Sequence, residues 1–515
     1  MDWSISNCQI GKESERKKVE MYLLPIQPLS EAERKVVENA CNEFKEYSKK
    51  KDIKTNSETK DTIKRILLTL CLRNNIKIDE KQERYLSEYI YMDLAGFSGL
   101  DLILNDENIE EIAMIGVNKP IYVYKTKEGW FETNLKFNTS ERAIDTINKM
   151  ARSLGRRVTF QNPKINAVLP DGSRLHASIP PISDIEMTIR KFRSNPISTC
   201  DLFINDTFSL DAIAFLSLVF QSDYNVLISG NTASGKTSTL NALFSFVPLN
   251  DRVVIIEETP EINIPHKHKV KLVANDDLKI DMKSLVEDSL RMRPDRVIVG
   301  EVRTEGEISA LMESILSGQA RGSYATFHAR SADEVVKRLA LLGVLKVDIS
   351  SIDFIVIQRR MMRYNTETRR YWEERRGIEI AELYGNAPEI NRIFYYDPKS
   401  QKLIKNIENS KKIEEIADSF SLSKSEVFDE INFRKDILKK IAERKLTFND
   451  TITEIQKRIF STSGNKEVNK EGMKDAKGKV EEIKEFDYEI YDEKVKPCSE
   501  KMKSKRLEKH FSPQI

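Results

Sequence analysis

The chemistry in this chain starts at residues 230–238, which read GNTASGKTS and contain the whole pattern G-x-x-x-x-G-K-[S/T]. The pattern follows an apolar strand-like segment, YNVLI, and precedes a helix-like one, STLNALFSF. That strand–loop–helix context is what a phosphate-binding loop requires. Gly230 and Gly235 let the backbone turn its N–H groups inward around phosphate oxygens, with Asn231, Thr232, Ala233, Ser234 and Ser238 completing the cradle. Lys236 supplies a point charge for the β- and γ-phosphates, and Thr237 a hydroxyl ligand for Mg²⁺. The N-terminus of the following helix adds a favourable dipole. The expected ligands are therefore ATP and Mg²⁺.

A phosphate cradle alone only binds. Hydrolysis also needs a group that positions water and a means of stabilising charge on the γ-phosphate. Two apolar strands end in acids: IIEETPE presents Glu257 and Glu258, and RVIVGEV presents Glu301. Gly300 stands where the usual second nucleotide motif has Asp, so Glu301 is the candidate water-positioning carboxylate. The Mg²⁺ shell must then rely on Thr237, phosphate oxygens and water. His328, in YATFHARSADEVVKRL, falls at a strand-to-helix junction on the edge where ligands bind in such sheets, and can sense the γ-phosphate from there. Ser331 and Glu334 are expected to form a capping box for the next helix. A satisfied structural histidine is the competing reading; His176, His266, His268 and His510 keep it.

The elements that must position these groups show in the patterning. YNVLISG, RVVIIEE, DRVIVGE, YATFHA and DFIVIQ are short apolar strands, most of them separated by helical segments, which predicts a sheet wrapped by helices at 199–400. Before it, IYVYK and WFETNLKF flank a turn, NAVLP and SRLHASI flank Asp171-Gly172, and SERAIDTINKMARSLG reads as a helix closed by Gly155. Two hairpins and a helix, with preceding helices from 61, predict an α+β domain at 61–190, then a hinge at 191–198. Residues 1–60 read as an extension with a capping box at Ser30 and Glu33, residues 401–460 as a helical region, and residues 461–515 as a charged, disordered tail.

Composition bounds the rest. Lys plus Arg number 83 and Asp plus Glu 81, so no broad field for nucleic acid is expected. The five cysteines are scattered without a C-x-x-C pair, which argues against a zinc module and for a reducing compartment. No run of about 18 apolar residues exists, so membrane contact is expected through partners.

With these segments in order, the chain resembles the secretion ATPase superfamily, the motors of type II and type IV secretion, type IV pili and archaeal surface filaments. The resemblance rests on GNTASGKTS, on VVIIEETPEI as an acidic box, on LRMRPDRVIVGEVRTEGE as an atypical second nucleotide motif, and on GSYATFHARSADEVVKRL as a histidine box. IEEIAMIGVNKPIYVYKTKEGW and LGRRVTFQNPKINAVLPDGSRLHASIPPIS resemble the N-terminal domain, closest to archaeal and tight-adherence-type members. The resemblance implies an α/β fold: a RecA-like P-loop motor domain behind a smaller α+β domain, with a helical C-terminal extension. It also implies a ring, usually a homo-hexamer, at the cytoplasmic face of the cell membrane, working with a polytopic membrane platform protein; from the near-neutral charge balance, no direct nucleic-acid contact is expected. Arginines of the N-terminal half reach nucleotide in this family; Arg174 in PDGSR is the best match, with Arg156 and Arg190 behind it. Glu258 stands where many relatives have Asp, and Gln319 where pilus motors often have a second His. The leading expectation is an ATPase for filament assembly or protein export. A type IV secretion motor for DNA or effectors, a RecA-like helicase and a non-hydrolysing nucleotide-dependent scaffold stay open beside it.

Overall fold

The computed structural model describes residues 3–5, 21–24, 29–51, 55–126, 128–152, 154–192, 196–275 and 278–460. The expected tail at 461–515 lies outside the described residues, as do Cys8, Cys498 and residues 193–195 of the expected hinge.

The N-terminal lobe is built on a seven-stranded sheet. Its order is Met21–Tyr22, Gly129–Thr133, Tyr122–Lys125, Ile109–Met114, Glu186–Arg190, Arg174–Ser178 and Lys164–Val168. Both expected hairpins form, Tyr122–Lys125 with Gly129–Thr133 and Lys164–Val168 with Arg174–Ser178. The helix Ser140–Arg152 packs Ala143, Ile147 and Met150 inward. The described part of residues 1–60 packs on this lobe. The helix Glu31–Lys50, started by the Ser30–Glu33 capping box, buries Val36, Val37, Ala40 and Cys41 in the same core as Ile63 and Leu67 of Asn56–Arg73 and Ile90 of Glu80–Leu94. Packing this apolar face into the lobe's core removes it from water.

The second lobe carries a nine-stranded sheet in the order Lys269–Val273, Val253–Glu257, Arg296–Val302, Gly322–Phe327, Val226–Gly230, Phe354–Asn365, Arg370–Tyr384, Glu389–Asp397 and Lys402–Lys405. Neighbours among the first six strands pair parallel, and the last three strands join antiparallel. Parallel strands are covered on both faces and therefore read as continuous apolar runs. Here alternate residues feed two cores: Val226, Ile228 and Ile255 enter one, Leu227, Val254 and Val299 the other. Residues 402–405 extend the sheet, and the helices Lys412–Phe420, Lys424–Glu443 and Phe448–Ile459 bury Ile413, Ile431 and Ile455 in the first of those cores. The C-terminal helices thus complete the second lobe, which the resemblance expects as the motor lobe. Among the described residues no helix is long and apolar enough to cross a membrane.

Candidate functional site

The phosphate loop is fixed from below by the strand Phe354–Asn365. A Cβ on Gly230 would lie 1.9 Å from the Gln358 carbonyl oxygen, so that strand approaches as only glycine allows. The Asn231 side chain accepts from Arg360 N at 2.8 Å and donates to Arg360 O at 3.0 Å, which makes it an anchor of the loop. Ala233 and Gly235 take left-handed conformations, φ 59° and 94°, that turn the chain into the helix Lys236–Leu243. Ser234 Oγ is buried without a hydrogen-bond partner in the middle of this turn. An orphaned donor in a loop of this shape fits an anion. Thr232, Thr237 and Ser238 line the same cavity.

Lys236 is 7% exposed. Burial lowers its pKa, and the charges of Glu301 and Glu261 oppose that shift. Its Nζ lies 3.8 Å from Glu301 Oε1. Glu301 reaches the site through a break in strand register between Val299 and Glu301, so Gly300 is an inserted residue that re-aims the next side chain. A Cβ on Gly300 would sit 3.3 Å from both Glu257 Cγ and Ile256 O. The Glu301 carboxylate pairs with His328 Nε2 and with Arg303. Burial alone would raise its pKa, but His328, Lys236 and Arg303 outweigh it and hold the group at about 2. His328 is held through its backbone, its carbonyl accepting from Arg338. The expected capping box beside it forms only in part. Ser331 Oγ accepts from Glu334 N at 3.2 Å, while the Glu334 carboxylate accepts from Arg330 N.

The acids after the strand Val253–Glu257 divide. Glu257 turns inward and accepts from Glu261 N at 2.7 Å and Ile262 N at 2.8 Å, so it shapes the loop. Glu258 is half-exposed, 3.9 Å from Arg303. Glu261, which sequence reasoning passed over, faces the phosphate loop. Its Oε2 accepts from Thr237 Oγ1 at 3.1 Å, and its Oε1 lies 2.9 Å from Arg174 and 3.8 Å from Arg190. The available signal was the TPE turn at the carboxyl edge of a parallel sheet. Arg174 and Arg190 therefore meet at the site, whereas Arg156 donates to Asn166 O within its own lobe. Arg303, Arg360 and Arg375 also line the cavity and were not foreseen.

The cavity holds about 620 Å³, with the phosphate loop on one side and Glu110, Tyr124, Trp130 and Arg190 of the N-terminal lobe on the other. That volume suits a nucleotide-sized ligand. No ready-made cage of three or more His, Cys, Asp or Glu exists among the described residues. A divalent ion here would draw on Thr237 and Glu261 together with phosphate oxygens, as Mg²⁺ sites do.

Comparison with known proteins gives one family. The sequence model described as type II/IV secretion system protein matches residues 104–455. An uncharacterized protein of Methanocaldococcus jannaschii is 36% identical over 267 residues, 49% of this chain, and the chain spans only 36% of that relative's length. The type IV secretion system protein VirB11 of Bartonella henselae is 30% identical over 332 residues, which cover 53% of this chain and 91% of that protein. Among solved structures, the ATPase DotB of Legionella pneumophila is matched at 17% identity with a TM-score of 0.40, over 68% of this chain and 92% of that one.

Proposed function

The chain belongs to the type II/IV secretion system protein family, and from that premise we propose that it is a Mg²⁺-ATP-hydrolysing motor that energises assembly of pilus-like filaments or export of protein at the cytoplasmic face of a membrane. One observation carries the reading: a buried lysine of a complete phosphate loop and a strand-end carboxylate face each other across 3.8 Å, with a histidine on the same carboxylate oxygen and Arg303 on the other. Lys236 is held in reserve by Glu301 and transfers to phosphate oxygens when they enter. Glu301 then loses one of the cations that hold its pKa near 2 and becomes a better acceptor for the attacking water's hydrogen. His328 fixes the carboxylate's orientation. Thr237 and Glu261 are the groups that would hold Mg²⁺, which supplies charge neutralisation at the β- and γ-phosphates when bound. Arg174 and Arg190 bring positive charge from the N-terminal lobe to the same point.

A homo-hexameric ring with a polytopic membrane platform protein as partner is part of the proposal. A second reading, a type IV secretion motor for DNA or effectors, draws support from the relative named VirB11, 91% of whose length this chain covers.

The test is phosphate release by the purified chain with Mg²⁺-ATP. Wild type turns over; Glu301→Gln retains nucleotide but loses turnover by about 100-fold or more; Lys236→Ala loses binding. A wild type that binds ATP and never hydrolyses it, alone or with anionic lipid, would overturn the motor and favour a nucleotide-dependent scaffold.

A further inference from the structure

The arginines on the cavity wall, Arg190, Arg303, Arg360 and Arg375, already carry carboxylates, and ion pairs cross the seam between the lobes in opposite senses. Arg174 and Arg190 of the N-terminal lobe reach Glu261 of the motor lobe. In return, Arg375 of the motor lobe reaches Glu110 of the N-terminal lobe with both arms of its fork, at 3.1 and 3.4 Å. Glu110 sits where the register of Ile109–Met114 against Tyr122–Lys125 shifts, between Ile109 and Glu111. Such a bulge re-aims one side chain, and this one is aimed at the cavity, with Thr126 Oγ1 steadying it at 2.9 Å. The Arg375 stem passes over the phosphate loop: its Cδ is 4.0 Å from where a Cβ of Gly235 would stand. Arg375 is directly cross-strand from Arg360, and both line the cavity.

A guanidinium prefers a polyphosphate to one carboxylate, because it can grip phosphate bidentately against a higher charge. We propose that Arg375 is a nucleotide-binding residue held in waiting by Glu110, so that polyphosphate and the N-terminal lobe compete for one guanidinium and occupancy loosens that tie between the lobes. The inference rests on the nucleotide reading above and adds a residue and a direction of coupling to it. Coupling is reciprocal: if Glu110 weakens nucleotide binding, nucleotide weakens the Glu110–Arg375 tie by the same factor.

The experiment is calorimetric titration of the full chain with Mg²⁺ and a non-hydrolysable ATP analogue. Arg375→Gln and Glu110→Gln delete the same ion pair, so a merely structural tie makes both variants weaken binding alike. The competition makes them differ in sign. Arg375→Gln weakens binding about tenfold, while Glu110→Gln tightens it about threefold, the scale of a part-exposed pair. If either Gln variant fails to fold, Arg375→Lys and Glu110→Asp carry the same comparison. Equal losses in both variants, or no change in either, overturn the inference while leaving the nucleotide site standing. A wild type that does not bind the analogue, or binds it no better than Lys236→Ala, overturns the nucleotide reading and the inference with it.

Discussion

Glu257 ends a buried strand with its carboxylate accepting two backbone N–H groups, and burial raises its pKa against those bonds. Glu261, four residues on, keeps contact with solvent, Thr237 and two arginines. Truncating them should give opposite phenotypes. Glu257→Ala leaves the Glu261 and Ile262 N–H groups without their acceptor, at about 1–3 kcal/mol each, and should lower the melting temperature. Glu261→Ala removes no acceptor from a buried amide. It should barely move the melting temperature, but raise the Mg²⁺ concentration needed for half-maximal ATP turnover, by about tenfold for one lost ligand contact. Turnover measured against Mg²⁺ concentration, beside thermal melting of both variants, checks the division. If Glu257→Ala alone shifts the Mg²⁺ requirement, the roles are reversed. The acid box announces itself as a pair in the sequence because two glutamates end an apolar run. The third acid lies beyond a proline, and only the folded turn shows that it faces the threonine.

At the scale of elements, the turn ahead of the edge strand Lys269–Val273 is pinned by His266. Its Nε2 donates to Pro248 O at 3.1 Å, its ring packs edge-on to Phe244, and Nδ1 is buried without a partner. Burial lowers its pKa to about 4, with Asp251 opposing and Lys269 and Arg296 assisting the shift. The folded state thus resists a proton that the unfolded chain accepts. Stability from this group is full above pH about 6.5 and is lost as pH falls towards about 4, a loss of about 3 kcal/mol. His266→Asn does not titrate there. The difference in urea midpoint between wild type and this variant should shrink through that window, and a constant difference would show that the histidine is protonated when folded. Other elements were legible in proportion to how simply their residues are buried. The five apolar strands were readable because parallel strands covered on both faces need only apolar residues. The strands Lys269–Val273, Arg370–Tyr384 and Glu389–Asp397 were not. In RYWEERRGIEIAELY the charges hide the alternation, because Glu373 and Glu374 are paid off by Arg360, Arg363 and Arg376 on and beside the hairpin. The same hairpin brings Arg360 and Arg375 to the cavity, so the charges missed as strand are also the charges missed as site.

Across the whole molecule, two lobes with separate cores meet at a polar seam. The core around Ile112, Ile147 and Leu67 belongs to the N-terminal lobe, and those around Ile228 and Val299 to the motor lobe. Between them run Arg174–Glu261 at 2.9 Å, Arg375–Glu110 at 3.1 Å and Tyr124–Glu373 at 3.0 Å. Part-exposed ion pairs contribute about 0–1 kcal/mol each and are screened by salt, so the seam cannot weld two cores into one cooperative unit. Calorimetry at low salt should therefore resolve two unfolding transitions, spaced more widely in about 0.5 M NaCl, where the screening length shrinks well below its value of about 10 Å at 0.1 M. Ligand at about 100 times its Kd adds about 2.7 kcal/mol to whatever must unfold to release it. The phosphate loop lies wholly in the motor lobe, so a Mg²⁺-nucleotide analogue should raise the motor transition by several degrees and the other by less. One transition at both salt concentrations, with calorimetric and van't Hoff enthalpies equal, would mean that the lobes unfold as one body and that the seam carries far more than its ion pairs.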